Sequence, residues 1–289
     1  MKNKKLKKYL LPGLMIFFCI IFLVSAVQLT NRAMEASKQN KQNKQLANMV
    51  EQVQQQMQQE GTLQRPPISS GDSDEEPYVE PDSAFTEIIH PNTGEKIKIL
   101  REYASVFELN TDMVGWIELP GSKLNYPVVQ TPYEPNYYLK RDFYKKSSRY
   151  GTIYANEWAN VFDPSDNVTL YGHNMNDGAM FGALHGYNDK AFYDANPYIY
   201  FDTLYEHHTY QVFAVFYTTD IVGQGFAYHT FIDGNAVSFE EFVDECKALS
   251  RYDTGVTATY GDKLLTLSTC DKDYQDDHGR FVVVAKRVS

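Results

Sequence analysis

The sequence is poor in the residues that build metal sites and disulfide frameworks. It has three cysteines and seven histidines among 289 residues, with neither a CxxC pair nor HExxH spacing. We therefore expect no metal ion and no other cofactor. Basic residues are also in deficit beyond residue 60, where 18 Lys and Arg face 34 Asp and Glu. Such a charge would repel phosphates, so a nucleic-acid partner is not expected.

The N-terminus combines positive charge with a long apolar run. Residues 1–60 carry nine basic and three acidic residues, and five of the lysines precede an uncharged stretch of 18 residues, 10–27. That length is at the short end of what spans a hydrocarbon core of ~30 Å. The pattern predicts a cytoplasmic basic tail at 1–9, a transmembrane signal-anchor at 10–27 and an extracytoplasmic remainder. A signal peptide cleaved near Val24-Ser25-Ala26 is the alternative.

Two further segments precede the folded domain. An apolar stripe at helical spacing predicts a helical stalk over 28–60; its members are Leu46, Met49, Val50, Val53 and Met57. Residues 61–84 are rich in Pro, Ser, Gly, Asp and Glu, a composition typical of a linker. The folded domain is then expected to occupy 85–289.

Within that domain, short β-runs alternate with turn residues, which predicts a mainly-β fold with helical insertions, either a closed barrel or a sandwich. The eight candidate strands are 114–118, 126–130, 151–155, 168–171, 198–203, 209–218, 263–268 and 280–287. Helices are predicted at 99–109, in part of 180–195, and at 238–252.

Three strand ends carry the side chains of a nucleophilic acyl-transfer site. Cys270 ends the run TLSTC, His173 follows the run TLYG, and Arg280 lies ten residues beyond the cysteine. A thiolate can attack a carbonyl carbon, an imidazole can move the proton, and a guanidinium can stabilise negative charge on the carbonyl oxygen.

TLSTC with a YGHN histidine upstream and a strand-borne arginine downstream resembles the sortases, cysteine transpeptidases of the Gram-positive surface. The resemblance covers roughly residues 100–289. The Cys-to-Arg spacing, the helical insert before the cysteine strand and helical sequence before the first strand are most similar to class B. The resemblance implies an eight-stranded β-barrel, with Cys270, His173 and Arg280 as catalytic residues. It also implies that Ser268 or Thr269 binds substrate by donating a hydrogen bond to the thioacyl carbonyl.

Other residues compete for these roles. His278 is the rival to His173, because it lies close to Arg280 in sequence, whereas His207 and His208 fit an exposed turn between strands. Cys246 falls on the apolar face of a predicted helix and fits a core residue, although a disulfide with Cys270 would be possible and would abolish the chemistry.

Two further features have plain interpretations. Residues 90–94, HPNTG, are similar to an xPxTG sorting signal, yet a turn is favoured over a pseudosubstrate. The aspartates at 271, 273, 276 and 277 could attract calcium, which class B sortases do not generally need.

The expected function is that of a membrane-anchored transpeptidase. It would cleave a C-terminal sorting motif of secreted proteins through a Cys270 thioester and join them to the amine of a cell-wall peptide or lipid-linked precursor. The alternatives are a cysteine peptidase of wall peptides, a pilin-polymerising sortase and a non-catalytic surface binding module.

Overall fold

The computed structural model describes residues 2–68, 78–271, 274 and 278–289. It divides into two compact units, Met1–Asn43 and Lys44–Ser289. The first helix, α1 (Lys2–Glu60), contributes its beginning to one unit and its end to the other.

In the first unit, α1 has the length and composition of a membrane-spanning helix. From Pro12 onwards it contains an 18-residue window with a mean hydropathy of 2.4, none of it buried. Large apolar side chains such as Phe17, Phe18 and Phe22 are exposed there. Bare apolar surface of this kind is stable in a bilayer and unfavourable in water. A signal sequence at an N-terminus shares these properties.

The second unit contains the predicted eight-stranded closed barrel. Its strand order is β10-β8-β7-β3-β4-β5-β6-β9, with parallel pairs at β4–β5 and β6–β9. The strands are β3 (Met113–Glu118), β4 (Asn125–Val129), β5 (Ile153–Ala155), β6 (Asn167–Tyr171), β7 (Tyr198–Thr203), β8 (Thr209–Thr219), β9 (Leu264–Cys270) and β10 (Gly279–Arg287). Valine, phenylalanine and tyrosine dominate β8 and β10, which suits strands that pack on both faces.

Three short helices are inserted between the strands. They are α2 (Arg101–Phe107), α3 (Lys190–Ala195) and α4 (Ala236–Leu249). A capping box at Asn235 and Ser238 begins α4 two residues earlier than predicted. Its apolar face packs on β8 and β10 and includes Phe239, Phe242 and Cys246.

A two-stranded sheet outside the barrel was not predicted. It pairs β1 (Phe85–Ile89) with β2 (Lys96–Leu100), and residues 90–94 form the turn between them. His90 Nδ1 accepts hydrogen bonds from the backbone N–H groups of Asn92 and Thr93, at 3.2 Å each. The HPNTG segment is thus an ordinary hairpin turn, as the sequence favoured.

The end of α1 is part of the barrel unit. Leu46, Val50 and Met57 are buried in one apolar cluster with residues of α2 and β2, including Ile99 and Tyr103. The stripe predicted for a stalk is therefore a packing face, and the compact unit begins at Lys44, well before residue 85.

The segment after α1 is also fixed to the barrel. Arg65 forms a bidentate ion pair with Asp202 on β7, with both N–O distances 2.8 Å. Asp202 is 1% exposed and also accepts hydrogen bonds from the Tyr103 hydroxyl at 2.6 Å and the His208 N–H at 3.1 Å. Burial raises the pKa of Asp202, but the charges of Arg65 and His207 outweigh burial and hold it below its usual value.

His207 and His208 are buried, so their predicted place in an exposed turn was wrong. His207 lies between Glu80, at 2.7 Å, and Glu102, at 2.8 Å. Burial lowers its pKa, but Asp202 and the two glutamates raise it to about 10. A charged imidazole is tolerated here because acidic partners surround it.

Candidate active site

The strand that carries Cys270 is flanked by the strands that carry the other two candidate catalytic residues. On one side β9 pairs in parallel with β6, which leads into His173. On the other side β10 pairs antiparallel with β9, and Arg280 lies directly opposite Cys270 in the register. Cys270 ends β9 partly exposed, after six buried residues.

His173 is oriented by a backbone carbonyl. Its Nε2 lies 2.6 Å from the oxygen of Leu139. A carbonyl oxygen can only accept, so Nε2 carries a proton and Nδ1 is the nitrogen available for proton transfer. Gly151 makes this approach possible: its φ is +60°, and a Cβ there would lie 2.7 Å from the Leu139 oxygen and 3.2 Å from the His173 ring.

The hydroxyl groups beside Cys270 are engaged within the protein. Thr269 donates to the carbonyl oxygen of Gly172 at 2.7 Å, which ties the cysteine strand to the residue before His173. The Ser268 hydroxyl is hydrogen-bonded to the Tyr228 hydroxyl at 2.6 Å. Burial raises the pKa of Tyr228, so its hydroxyl stays protonated.

Arg280 is held by an aspartate that the sequence analysis missed. Asp220 follows β8 directly, and its carboxylate accepts hydrogen bonds from Arg280 Nη2 and, at 2.9 Å, from His278 Nδ1. Arg280 also donates to the carbonyl oxygen of Gly279 at 2.8 Å. The signal available in the sequence was that Asp220, a charged residue, directly follows the strand that pairs with β10.

These residues surround one cavity of about 610 Å³. Cys270, His173, Arg280, Ser268 and Thr269, all predicted for the site, line it together. Asp220 and Tyr228 line it as well, and so do Asn136, Tyr154, Asn156, Glu157, Trp158 and Tyr171. A thiol, an imidazole and a guanidinium that share a partly enclosed cavity can carry out acyl transfer.

The competing residues lie elsewhere. Neither His278 nor the hairpin turn 90–94 is among the residues that line the cavity. Cys246 and Cys270 are both free thiols. Cys246 is fully buried on α4, and this burial raises the pKa of the Cys246 thiol well above its usual value. Within the described ranges no cluster of three His, Cys, Asp or Glu could hold a metal ion. Of the candidate calcium ligands, Asp273, Asp276 and Asp277 are outside those ranges.

Comparisons with known proteins cover this same region. A family model described as Sortase domain matches residues 117–288. Sortase B of Staphylococcus aureus is 35% identical over 188 residues, which cover 64% of this chain and 74% of that protein. Sortase B of Listeria monocytogenes is 32% identical over 189 residues, covering 65% and 74%. The solved Staphylococcus aureus sortase B-substrate complex superposes with a TM-score of 0.68 at 28% identity, covering 89% of this chain and 99% of that one.

Proposed function

Because the chain belongs to the sortase family, whose members are cysteine transpeptidases, we propose that it cleaves a sorting motif in secreted proteins through a Cys270 thioester. The acyl part is then joined to an amine of a cell-wall peptide or lipid-linked precursor. The observation that carries this proposal is the placement of Cys270, His173 and Arg280 on neighbouring strand ends around one cavity. The similarity to class B favours a motif of the NPxTN type.

In the first half-reaction, the Cys270 thiolate attacks the carbonyl carbon at the scissile bond. Arg280 donates hydrogen bonds to the oxygen as it becomes negative, from a guanidinium that Asp220 already holds in place. The C–N bond breaks, and the leaving amine takes a proton from Nδ1 of a protonated His173. The products are a thioester on Cys270 and a neutral imidazole.

In the second half-reaction, an incoming amine attacks the thioester carbonyl. His173 Nδ1 takes the proton that the amine loses, the C–S bond breaks, and the thiolate returns. One amide is exchanged for another, so no ATP is consumed. If water replaces the amine, the product is a carboxylate and the enzyme acts as a hydrolase.

The residues next to the nucleophile have supporting roles in this proposal. Thr269 keeps the His173 segment in register through Gly172, since its proton is already donated to that carbonyl. In the Ser268–Tyr228 pair, one hydroxyl donates to the other. The acceptor hydroxyl then keeps its own proton for a substrate carbonyl.

The first unit anchors the enzyme in the proposed arrangement. Residues 10–27 of α1 cross the cell membrane once, with the lysines on the cytoplasmic side and the barrel outside. The barrel is then on the side where secreted proteins and wall peptides are found.

The proposal is tested by intact-mass analysis of the full-length chain in detergent after incubation with a library of sorting-motif peptides. We expect an acyl adduct on Cys270 that an added amine releases as a ligated product. Cys270→Ala should abolish the adduct and Arg280→Ala should lower kcat about 10²–10³-fold. Cys19→Ala, which removes a thiol in the other unit, is the matched control.

The same experiment separates the alternatives. Release by water with no gain from added amines would indicate a peptidase. A preference for a lysine side chain within a partner protein would indicate a pilin-polymerising sortase. Ligation that persists in Cys270→Ala would refute the proposed chemistry.

A further inference from the structure

A rigid turn after β5 points two side chains toward the reaction cavity. Asn156 Oδ1 accepts a hydrogen bond from the Trp158 N–H at 2.8 Å. The side chain of Gln130 donates to the carbonyl oxygens of Asn156 and Ala159, at 2.7 Å each. These bonds fix the backbone of the turn, so Glu157 and Trp158 are held in place before any ligand arrives.

Within the described residues, no side-chain contact accounts for the presence of Glu157 and Trp158 at the cavity. Glu157 is half-buried and lines the cavity, and among the described residues it has no hydrogen-bond or ion-pair partner. Burial is the main cause that raises the pKa of the nearby Tyr154 and Tyr171 hydroxyls, and the charge of Glu157 adds to it. Trp158 also lines the cavity and is 74% exposed, although an indole ring is largely apolar.

A carboxylate and an indole side by side are complementary to one kind of ligand. A cation on an alkyl stem, such as a lysine side chain, can pair its charge with the carboxylate. It can also lay its charge or its stem against the ring. Arg280, at another part of the cavity wall, repels the same cation, so the ligand would bind in one direction.

The strand register places this turn at a defined distance from the nucleophile. The Asn156 N–H donates to the Thr169 oxygen at 2.8 Å, and Thr169 pairs with Thr266 on β9. Thr266 lies four residues before Cys270, about 13 Å along the strand at ~3.3 Å per residue, and the turn lies two strands to the side, about 10 Å at ~4.8 Å per strand. The two offsets combine to about 16 Å, which an extended peptide covers with about five residues.

We propose that Glu157 and Trp158 form a subsite for a cationic side chain of a peptide substrate, about five residues from the carbonyl that Cys270 attacks. The assignment to a substrate rests on the proposed function. The cation belongs either to the peptide that donates the acyl group or to the peptide that accepts it, and both present the same chemistry to the subsite.

Binding can be measured without catalysis. Full-length Cys270→Ala protein in detergent is titrated with N-acetyl-lysine methylamide and with its neutral norleucine analogue, following tryptophan fluorescence. The other tryptophan, Trp116, is 3% exposed, so Trp158 should report the binding. We expect the lysine probe to bind about 5- to 10-fold more tightly, because an ion pair and a cation–π contact each contribute modestly.

The variants decide the outcome of the titration. Glu157→Gln should remove the preference for lysine, Trp158→Phe should remove the signal, and Glu240→Gln, on the exposed face of α4, should change neither. High salt should weaken the preference. Equal binding of the two probes, or a lysine preference that survives Glu157→Gln, would overturn the subsite.

Kinetics then identify the source of the cation. In one series of peptides, a single lysine is placed at successive positions of a donor peptide that the enzyme cleaves, and in a second series at successive positions of an acceptor peptide. Each lysine peptide is compared with the peptide that has norleucine at the same position. We expect a 5- to 10-fold higher kcat/KM at one position, about five residues from the reacting bond, in one of the two series. Glu157→Gln should cancel this gain, and no gain at any position in either series would overturn the substrate assignment. If the lysine probe binds but no peptide acylates Cys270, the proposed transpeptidation fails and the subsite stands.

Discussion

Replacing Arg65 by methionine should destabilise the Lys44–Ser289 unit by about 3–5 kcal/mol, because it leaves a buried carboxylate without its cation. Asp202 is 1% exposed and receives two of its hydrogen bonds from Arg65, at 2.8 Å each. Methionine keeps most of the alkyl stem but loses the guanidinium, which pairs with Asp202 and lies 4.1 Å from the centre of the Tyr200 ring. Lys98→Met is the matched control, because its partner Asp82 is exposed to solvent, which screens the ion pair and makes its contribution small.

The pH dependence makes this prediction sharper. In the wild type the folded pKa of Asp202 lies below its unfolded value of about 3.9, so its stabilising contribution is complete above that value. That contribution is lost as the pH falls through the folded pKa. Without Arg65, burial should raise the folded pKa above 3.9, and ionisation then costs stability as the pH rises. The difference in the free energy of unfolding between wild type and Arg65→Met should therefore be larger at pH 7 than at pH 4.5.

The assay is thermal unfolding of the full-length proteins in one detergent at both pH values. For a unit of this size, we expect the midpoint of Arg65→Met to fall by roughly 6–20 °C at pH 7. Lys98→Met should move it by a few degrees at most. The account of the buried ion pair would be refuted if the unfolding midpoint of Arg65→Met fell no further than that of Lys98→Met. It would also be refuted if the difference in midpoint between wild type and Arg65→Met became smaller as the pH rises.

Three further predictions concern the site. Asp220→Asn should lower kcat/KM of peptide ligation about 10-fold by loosening Arg280, with partial recovery in Asp220→Glu; equal activity of Asp220→Asn and wild type would contradict that role. Gly151→Ala should reduce kcat at least 10²-fold, because the new methyl displaces the carbonyl that orients the histidine; steady-state kinetics with circular dichroism as a folding control test this. Iodoacetamide at neutral pH should label Cys270 and spare Cys246, which is buried with a raised pKa; peptide mapping showing similar labelling would disprove it.

The barrel could be predicted from sequence because each of its strands has a local sequence signal. All eight runs of β-branched and aromatic residues became barrel strands, with ends shifted by one or two residues at most positions. The β1–β2 hairpin escaped notice because its first strand begins directly after a polar segment. His207 and His208 were misplaced for a different reason. His207 is buried against Glu80 and Glu102, more than 100 residues away in sequence, and no local pattern shows such partners.

The site residues also divide into those with a local sequence signal and those whose contacts depend on distant parts of the chain. Cys270, His173 and Arg280 could be predicted because each lies at or beside the end of a strand with a recognisable motif. Asp220 could not, since its side chain reaches Arg280 only once β8 pairs with β10. Either Ser268 or Thr269 is expected to donate to the substrate carbonyl; the Thr269 hydroxyl bonds to the Gly172 carbonyl, which comes within reach only after β6 and β9 pair.

The central position of β9 has a consequence for how this enzyme could be altered. The ladder of β6, β9 and β10 sets the spacing of the strand ends that carry the three proposed catalytic groups. The segment between β8 and β9 can thus be lengthened, shortened or exchanged beyond Asp220 and Tyr228, which contact Arg280 and Ser268, while the ladder keeps those strand ends in place. A one-residue slip of β9 against its neighbours would turn Cys270 to the opposite face of the sheet and abolish activity in an otherwise folded protein. Grafting such loop portions from other barrels of this kind, with Asp220 and Tyr228 retained, should therefore change which peptides react, and leave the reaction itself unchanged.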